Sequence, residues 1–123
     1  MKTVLFADDN PANRELVRAI LEAAGFQVLE ASDGRQALEQ VRAHRPDVVL
    51  LDVQMPKLDG LRVLAEIRQD PVLATVPVVA LTAYAMRGDR ERILASGFDG
   101  YLTKPIDFAT LVAEVRAQIA RQS

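Results

Sequence analysis

The 123 residues read as an α/β domain, a doubly wound parallel sheet of five strands with helices on both faces. Three observations predict this. Short apolar runs alternate five times with longer stretches of helical period, and strands in parallel need a crossover element between them. The runs "VVLL" at 48–51 and "VVAL" at 78–81 are apolar at successive positions, as a sheet covered on both faces requires. The 50% apolar content is enough for one packed core without disulfide or metal staples.

The elements follow in order. "TVLFAD" is the first strand, and a helix over 11–24 comes after it. Asn10 caps that helix, Pro11 takes its first position, Leu16, Val17, Ile20, Leu21 and Ala24 form its apolar stripe, and Gly25 stops it. "FQVLEA" precedes a second helix over 34–45, and "DVVLLD" a third over 60–69. "VPVVALT" leads into a fourth helix over 85–96, which carries Met86, Ile93 and Leu94 among many charges. So charged a helix should hold the core less firmly and be the mobile one. A weak "GYLT" is the fifth strand, followed by a helix over 107–121. Asp107 is its expected cap, with Phe108, Leu111, Val112, Val115 and Ile119 on one face.

Composition narrows the function classes. The chain has no cysteine, which excludes disulfides, thiolate metal sites and cysteine nucleophiles and makes a cytoplasmic location the expectation. The first residues hold no run long enough for a signal peptide or a membrane span. Net charge is −2 with a pI near 5.4, and basic residues are interspersed with acidic ones, so neither nucleic acid nor a membrane is expected as a direct partner. The densest charged stretch, "RGDRERI" at 87–93, alternates in sign and reads as a solvated helix face. His44, the single histidine, sits near the end of the second helix and suits its negative dipole end. No repeat, linker or output domain is visible, so residues 1–123 are read as one domain.

The polar residues at the strand ends carry the chemistry. In an open parallel sheet the carboxyl ends of the strands form the ligand crevice. Strand one ends in Asp8 and Asp9, strand three in Asp52, strand four in Thr82 and strand five in Lys104. Singly, each has an ordinary reading as a cap, a turn residue or a solvated charge. Independent turn chemistry gives no reason for three carboxylates, a hydroxyl and an ammonium to share one end of one sheet.

Two carboxylates about 4 Å apart repel by about 4 kcal/mol at an effective dielectric near 20, so three together call for protons or a cation. A set with oxygen donors and no histidine or cysteine favours Mg2+, with Mn2+ also admissible. One carboxylate is then available as a nucleophile, and Asp52 is the candidate because aspartate accepts a phosphoryl group as an acyl phosphate. Thr82 and Lys104 would contact the oxygens of the transferred group. The glycine-rich cradles GxxxxGK[ST] and GxGxxG are absent, which argues against a bound nucleotide as donor.

With these residues placed, the chain resembles the receiver domain of two-component response regulators over nearly its whole length. The carrying motifs are "ADDN", "LLDVQMPKLDG", "ALTAYA" and "YLTKPID". The resemblance implies a flavodoxin-like sheet of order 2-1-3-4-5. It implies Asp52 as the phosphoryl acceptor, Asp9, Asp52 and the backbone carbonyl of Gln54 on the metal, and Asp8 supporting it through water. Thr82 and Lys104 become phosphoryl-binding residues, and Tyr101 the aromatic switch that follows the threonine. Pro56 and Gly60 match the turn beyond the acceptor. The Lys104–Pro105 bond is often cis in this family, a state the sequence leaves open.

Gln54 and Tyr84, two residues past the acceptor and the threonine, would flank the water that hydrolyses the acyl phosphate. Neither is an acid able to activate it, so slow self-dephosphorylation is expected. The implied partners are a histidine kinase or histidine phosphotransfer protein, with a downstream effector or kinase beyond it. Asn10, Asn13, Leu16, Pro105 and Ile106 would form the face that meets the phosphohistidine partner. The style resembles stand-alone cell-cycle, phosphorelay and hybrid-kinase receivers, as a monomer or weak dimer. Such a chain is no enzyme toward other molecules and catalyses only its own phosphorylation and dephosphorylation. Two other classes share the topology. A phosphatase with an aspartate nucleophile needs an acid where Gln54 stands, and a flavin carrier needs a phosphate loop where "DDNPAN" would repel it.

Overall fold

The computed structural model describes residues 1–53, 60–83 and 89–122. Strands β1 (Thr3–Ala7), β2 (Gln27–Ala31), β3 (Val48–Asp52), β4 (Val78–Thr82) and β5 (Gly100–Thr103) alternate with helices α1 (Pro11–Ala23), α2 (Gly34–His44), α3 (Gly60–Gln69), α4 (Asp89–Ala95) and α5 (Phe108–Gln122). All strand pairs are parallel, and the order is β2-β1-β3-β4-β5. The sheet therefore reverses its winding direction between β1 and β3, and the crevice of such a fold opens outside the carboxyl ends there.

Strand periodicity sorts the core into two layers. Leu5, Ala7, Val49, Leu51, Val78 and Ala80 point to one face, where they pack with Ala37, Leu38 and Val41 of α2 and Val63, Leu64 and Ile67 of α3. Val4, Phe6, Val48, Leu50, Val79 and Leu81 point to the other, against Val17, Ile20 and Leu21 of α1 and Leu111, Val112 and Val115 of α5. All ten residues of β3 and β4 are buried, which is why their sequences show no apolar–polar alternation.

The caps explain where the helices begin and end. Asn10 Oδ1 accepts from the amides of Ala12 and Asn13 at 2.8 and 3.3 Å, and Gly25 leaves α1 at φ +95°, a conformation that favours glycine. Asp107 Oδ2 accepts from the Thr110 amide at 2.9 Å and opens α5. Asp33 caps α2 by accepting from the Gln36 amide at 2.9 Å.

Two apolar assignments need correction. Leu16 is 49% exposed and Phe108 57%, although periodicity places both on core-facing stripes. Each lies at the edge of its stripe: α1 seats Val17, Ile20 and Leu21, while α5 seats Leu111 and Val115 and then buries Gln118. The buried Gln118 amide donates to the Asp99 carbonyl at 3.1 Å and to Glu114 Oε1 at 2.8 Å, so α5 adds a polar contact beside its apolar stripe. Helix α4 is described from Asp89, so Met86 and the predicted first turn lie outside the described residues. Among the described residues, α4 brings only the half-buried Ile93 to the core clusters.

At the opposite end of the sheet from the strand carboxyl ends, Arg68 of α3 joins two loops. Its guanidinium donates to the carbonyls of Ala74, Val76 and Gly97 and to Asp99 Oδ2, the last at 2.6 Å. That Asp99 oxygen also accepts from the Val78 amide, so one cation fixes the entries to both β4 and β5.

Candidate functional site

Four of the five strand ends contribute polar side chains, because the chain leaves the ladder there. Asp8 follows directly on β1, and its amide still pairs with the Ala31 carbonyl of β2 at 3.0 Å. Its side chain is fully buried. Asp52, the last residue of β3, and Thr82, the last of β4, are each only 3% exposed. Asp9 is exposed. Carboxylate oxygens of Asp8, Asp9 and Asp52 all lie within 4.8 Å of one another.

Lys104 enters the same space from the end of β5. Its Nζ donates to Asp52 Oδ2 at 2.8 Å and lies 3.0 Å from Asp8 Oδ2. The Lys104 amide donates to the Thr82 carbonyl at 2.8 Å, and the Lys104–Pro105 bond is cis. Burial pushes the Lys104 ammonium toward a lower pKa. Hydrogen bonds to Asp52 and Asp8, and attraction to both charges, outweigh that and hold the pKa above the ordinary lysine value.

The Asp8 carboxylate is held on three sides. Oδ1 accepts from the Asn10 amide at 2.9 Å, and Oδ2 from Asn13 Nδ2 at 3.3 Å as well as from Lys104. Asn13, which the family resemblance puts on a partner face, also contacts Asp8 inside the site, and Asn10 is engaged as a cap. Leu16 and Pro105 are exposed and Ile106 is half-buried. Tyr101 of β5 is half-buried and in register with Ala80, on the opposite face of the strand from buried Leu102. The Gln54 carbonyl, the Gln54 and Tyr84 side chains and Pro56 lie outside the described residues. Gly60 is described. Its amide donates to the Val53 carbonyl at 3.1 Å, and a Cβ there would come within 2.7 Å of Val53 Cα and 2.9 Å of the Asp52 carbonyl. Only glycine lets α3 start so close to the acceptor strand.

Three carboxylates facing one ammonium form an oxygen-donor set with excess negative charge. This suits a hard divalent cation, which would take carboxylate oxygens and leave positions for a phosphoryl oxygen. The sequence pattern that defines the response regulator receiver domain matches residues 4–116. The chain belongs to this family. The receiver is 37% identical over 118 residues to the polar-differentiation response regulator DivK of Brucella anthropi and 36% identical to that of Brucella ovis, with 96% of each chain covered. Among solved structures it is similar to the receiver domain of the Francisella response regulator 1452, with TM-score 0.93, 31% identity and all of both chains covered. It is also similar to the receiver domain of sensor histidine kinase PA1611 from Pseudomonas aeruginosa, with TM-score 0.89 and 37% identity over 97% of this chain and 98% of that one. In that protein a magnesium ion is coordinated in the active site cleft.

Among the described residues of this receiver, no helix is long and apolar enough to cross a membrane. Sequence reasoning missed Arg14, whose Nη1 donates to the Asp8 carbonyl at 2.8 Å. An arginine in a first helical turn gives no signal of its own, because its target is a backbone atom.

Proposed function

We propose that this receiver accepts a phosphoryl group from phosphohistidine on Asp52 and signals by changing how it docks on other proteins. The observation that carries this reading is the convergence of Asp8, Asp9 and Asp52 with Lys104 Nζ 2.8 Å from the Asp52 carboxylate. An Asp52 oxygen attacks phosphorus in line with the bond to the histidine ring nitrogen. The P–N bond breaks, its electron pair stays on the ring, and a proton on the other ring nitrogen lets the leaving group depart as neutral imidazole. Asp52 becomes an acyl phosphate.

Asp9 and Asp52, with the Gln54 carbonyl, would hold Mg2+, and Asp8, already occupied by Asn10, Asn13 and Lys104, would support it through water. Bound there, the metal supplies positive charge against the phosphoryl oxygens. The Lys104 ammonium is placed to move from Asp52 to an oxygen of the transferred group, and the Thr82 hydroxyl to donate to another. Thr82 moving toward the phosphate would draw Tyr101 inward, and the difference in phosphate contacts between the two arrangements shifts their populations. Asn10, Asn13, Leu16, Pro105 and Ile106 would belong to the face that meets a histidine kinase or phosphotransfer protein. The likeness to DivK, over 96% of both chains, supports a receiver acting on its own as one domain over residues 1–123.

Mass spectrometry after a small phosphodonor and Mg2+ tests the acceptor. One added phosphoryl group on the wild type and none on Asp52→Asn is expected, and equal labelling of both would refute the assignment. Without an acid at Gln54 or Tyr84 to activate water, the phosphorylated form should outlast seconds in magnesium buffer. Decay within seconds would remove that part of the reading. An unchanged Tyr101 environment on addition of a phosphate mimic would remove the aromatic switch.

A further inference from the structure

Arg14 lies on α1, one turn in from the strand-end cluster, with 19% of its side chain exposed. Its Nη1 donates to the Asp8 carbonyl at 2.8 Å, and its Nε lies 3.4 Å from Glu30 Oε1 on β2. The other Glu30 oxygen accepts from Arg18 Nε at 2.6 Å, and Arg18 donates in turn to the Val28 carbonyl at 3.2 Å. Glu30 is thereby fixed between two arginines of α1, and Arg14 is fixed by Glu30.

The target atom gives this arrangement a consequence beyond packing α1 on β2. β1 ends at Ala7, and the Asp8 amide makes the last bond to β2, on the Ala31 carbonyl at 3.0 Å. The Asp8 carbonyl belongs to the peptide that leads into Asp9. Arg14 therefore supplies the bond that sets the plane of this peptide, and with it the direction in which Asp9 leaves the strand. Asp9 is the exposed member of the carboxylate cluster, while Asp8 is buried and tethered by Asn10, Asn13 and Lys104. A preset direction for Asp9 matters most to a ligand that needs its oxygen beside that of Asp52.

We propose that Arg14, braced by Glu30, is a positioning residue for the metal site: it orients the Asp8–Asp9 peptide so that Asp9 meets the cation without rearrangement. Its contacts are a main-chain carbonyl and Glu30, so it acts through Asp9 and touches no reacting group. The inference rests on the reading of Asp8, Asp9 and Asp52 as a Mg2+ site. Partners one shell beyond metal ligands typically change metal affinity about 10- to 100-fold when removed.

Calorimetric titration of Mg2+ into the full chain, paired with thermal melts in EDTA, tests this on wild type, Arg14→Ala, Arg14→Lys, Glu30→Gln and Asp9→Asn. Arg14→Ala should bind Mg2+ about tenfold or more weakly. Arg14→Lys should recover part of the loss, since a lysine can reach one of the two acceptors but lacks the planar fork. Glu30→Gln should fall between wild type and Arg14→Ala, and it decides the matter alone where Arg14→Ala does not fold. Mg2+ affinity within twofold of wild type in both Arg14→Ala and Glu30→Gln, whatever their melting temperatures, would reduce Arg14 to a staple between α1 and β2 and overturn the proposal. A wild type that takes up no Mg2+, or an Asp9→Asn protein that binds it as well as wild type, would instead overturn the metal-site reading and this proposal with it.

Discussion

Lys104 and Asp52 are 52 positions apart in the chain, and the Lys104 ammonium donates to the Asp52 carboxylate at 2.8 Å while also lying 3.0 Å from Asp8. One cation is thus shared by two buried carboxylates, with Asp9 close by. In the metal-free protein this ammonium is a positive charge that offsets the burial of Asp8 and Asp52. Removing one partner of a buried pair leaves the other charge uncompensated.

Lys104→Met should therefore destabilise the metal-free protein by about 2–4 kcal/mol. Added Mg2+ should recover part of the loss, because a divalent ion can neutralise the same oxygens. Denaturant unfolding in EDTA and in Mg2+ reads both effects. Equal stability of the variant and wild type in EDTA would show that the pair contributes nothing.

Mg2+ itself should raise the melting temperature of the wild type, since a ligand at 100 times its dissociation constant adds about 2.7 kcal/mol to folding. Asp9→Asn should lose most of this gain yet melt no lower than wild type in EDTA, because it removes one of three mutually repelling charges. If Asp9→Asn gains as much from Mg2+ as the wild type, Asp9 is not a ligand.

Gly60→Ala should cost about 1–3 kcal/mol, the usual range for forcing atoms into a close-packed place. The new methyl meets backbone atoms, Val53 Cα and the Asp52 carbonyl, which cannot swing aside as a side-chain end could. Phosphorylation should slow as well, because the displaced atoms belong to the acceptor segment. Stability by denaturant titration together with the labelling rate checks this; an unaffected rate in a destabilised variant would separate Gly60 from the site.

Acid should weaken the start of α5. The Thr110 hydroxyl and then its amide donate to the Asp107 carboxylate and hold its pKa below the ordinary value of 3.8, against a small opposing effect of desolvation. A group whose pKa is lower folded than unfolded stabilises the fold above its unfolded value, and loses that contribution as pH falls through its folded value. The stability advantage of wild type over Asp107→Ala should thus be level above about pH 5 and shrink below the ordinary carboxylate range. An NMR titration of the Asp107 carboxyl carbon gives the folded value directly. An advantage that grows on acidification would contradict the cap.

Much of this receiver is legible because its signals are local. Five apolar runs, the Asn10–Pro11 and Asp107 starts and the Gly25 stop depend on a few neighbouring residues, and each matches an observed boundary within a residue or two. The strand-end rule brings Asp8, Asp9, Asp52, Thr82 and Lys104 together from the sequence, since in a parallel sheet all strands deliver their carboxyl ends to one side. Leu16 and Phe108 were misplaced because helical period says which residues share a stripe, while only the neighbouring element decides how wide a stripe is covered. Gln118 gives no such signal for the converse reason: a buried amide is acceptable only where Asp99 and Glu114 offer acceptors, and the Asp99 carbonyl comes from the loop before β5, remote from α5 in the chain.

The sequence alone determined the alternation of elements, the two-sided burial of the sheet and the five polar residues at four of the strand ends, because each is written in residues close together in the chain. Tertiary structure decided which carboxylates Lys104 serves, that Asn13 faces into the site, that the Lys104–Pro105 bond is cis, and that Arg14 reaches the Asp8 carbonyl. These contacts join side chains to partners on other elements or to main-chain atoms, which have no identity in a sequence. Only the packing of α1 and the turn into α5 against the ends of β1 and β3 gives them a place.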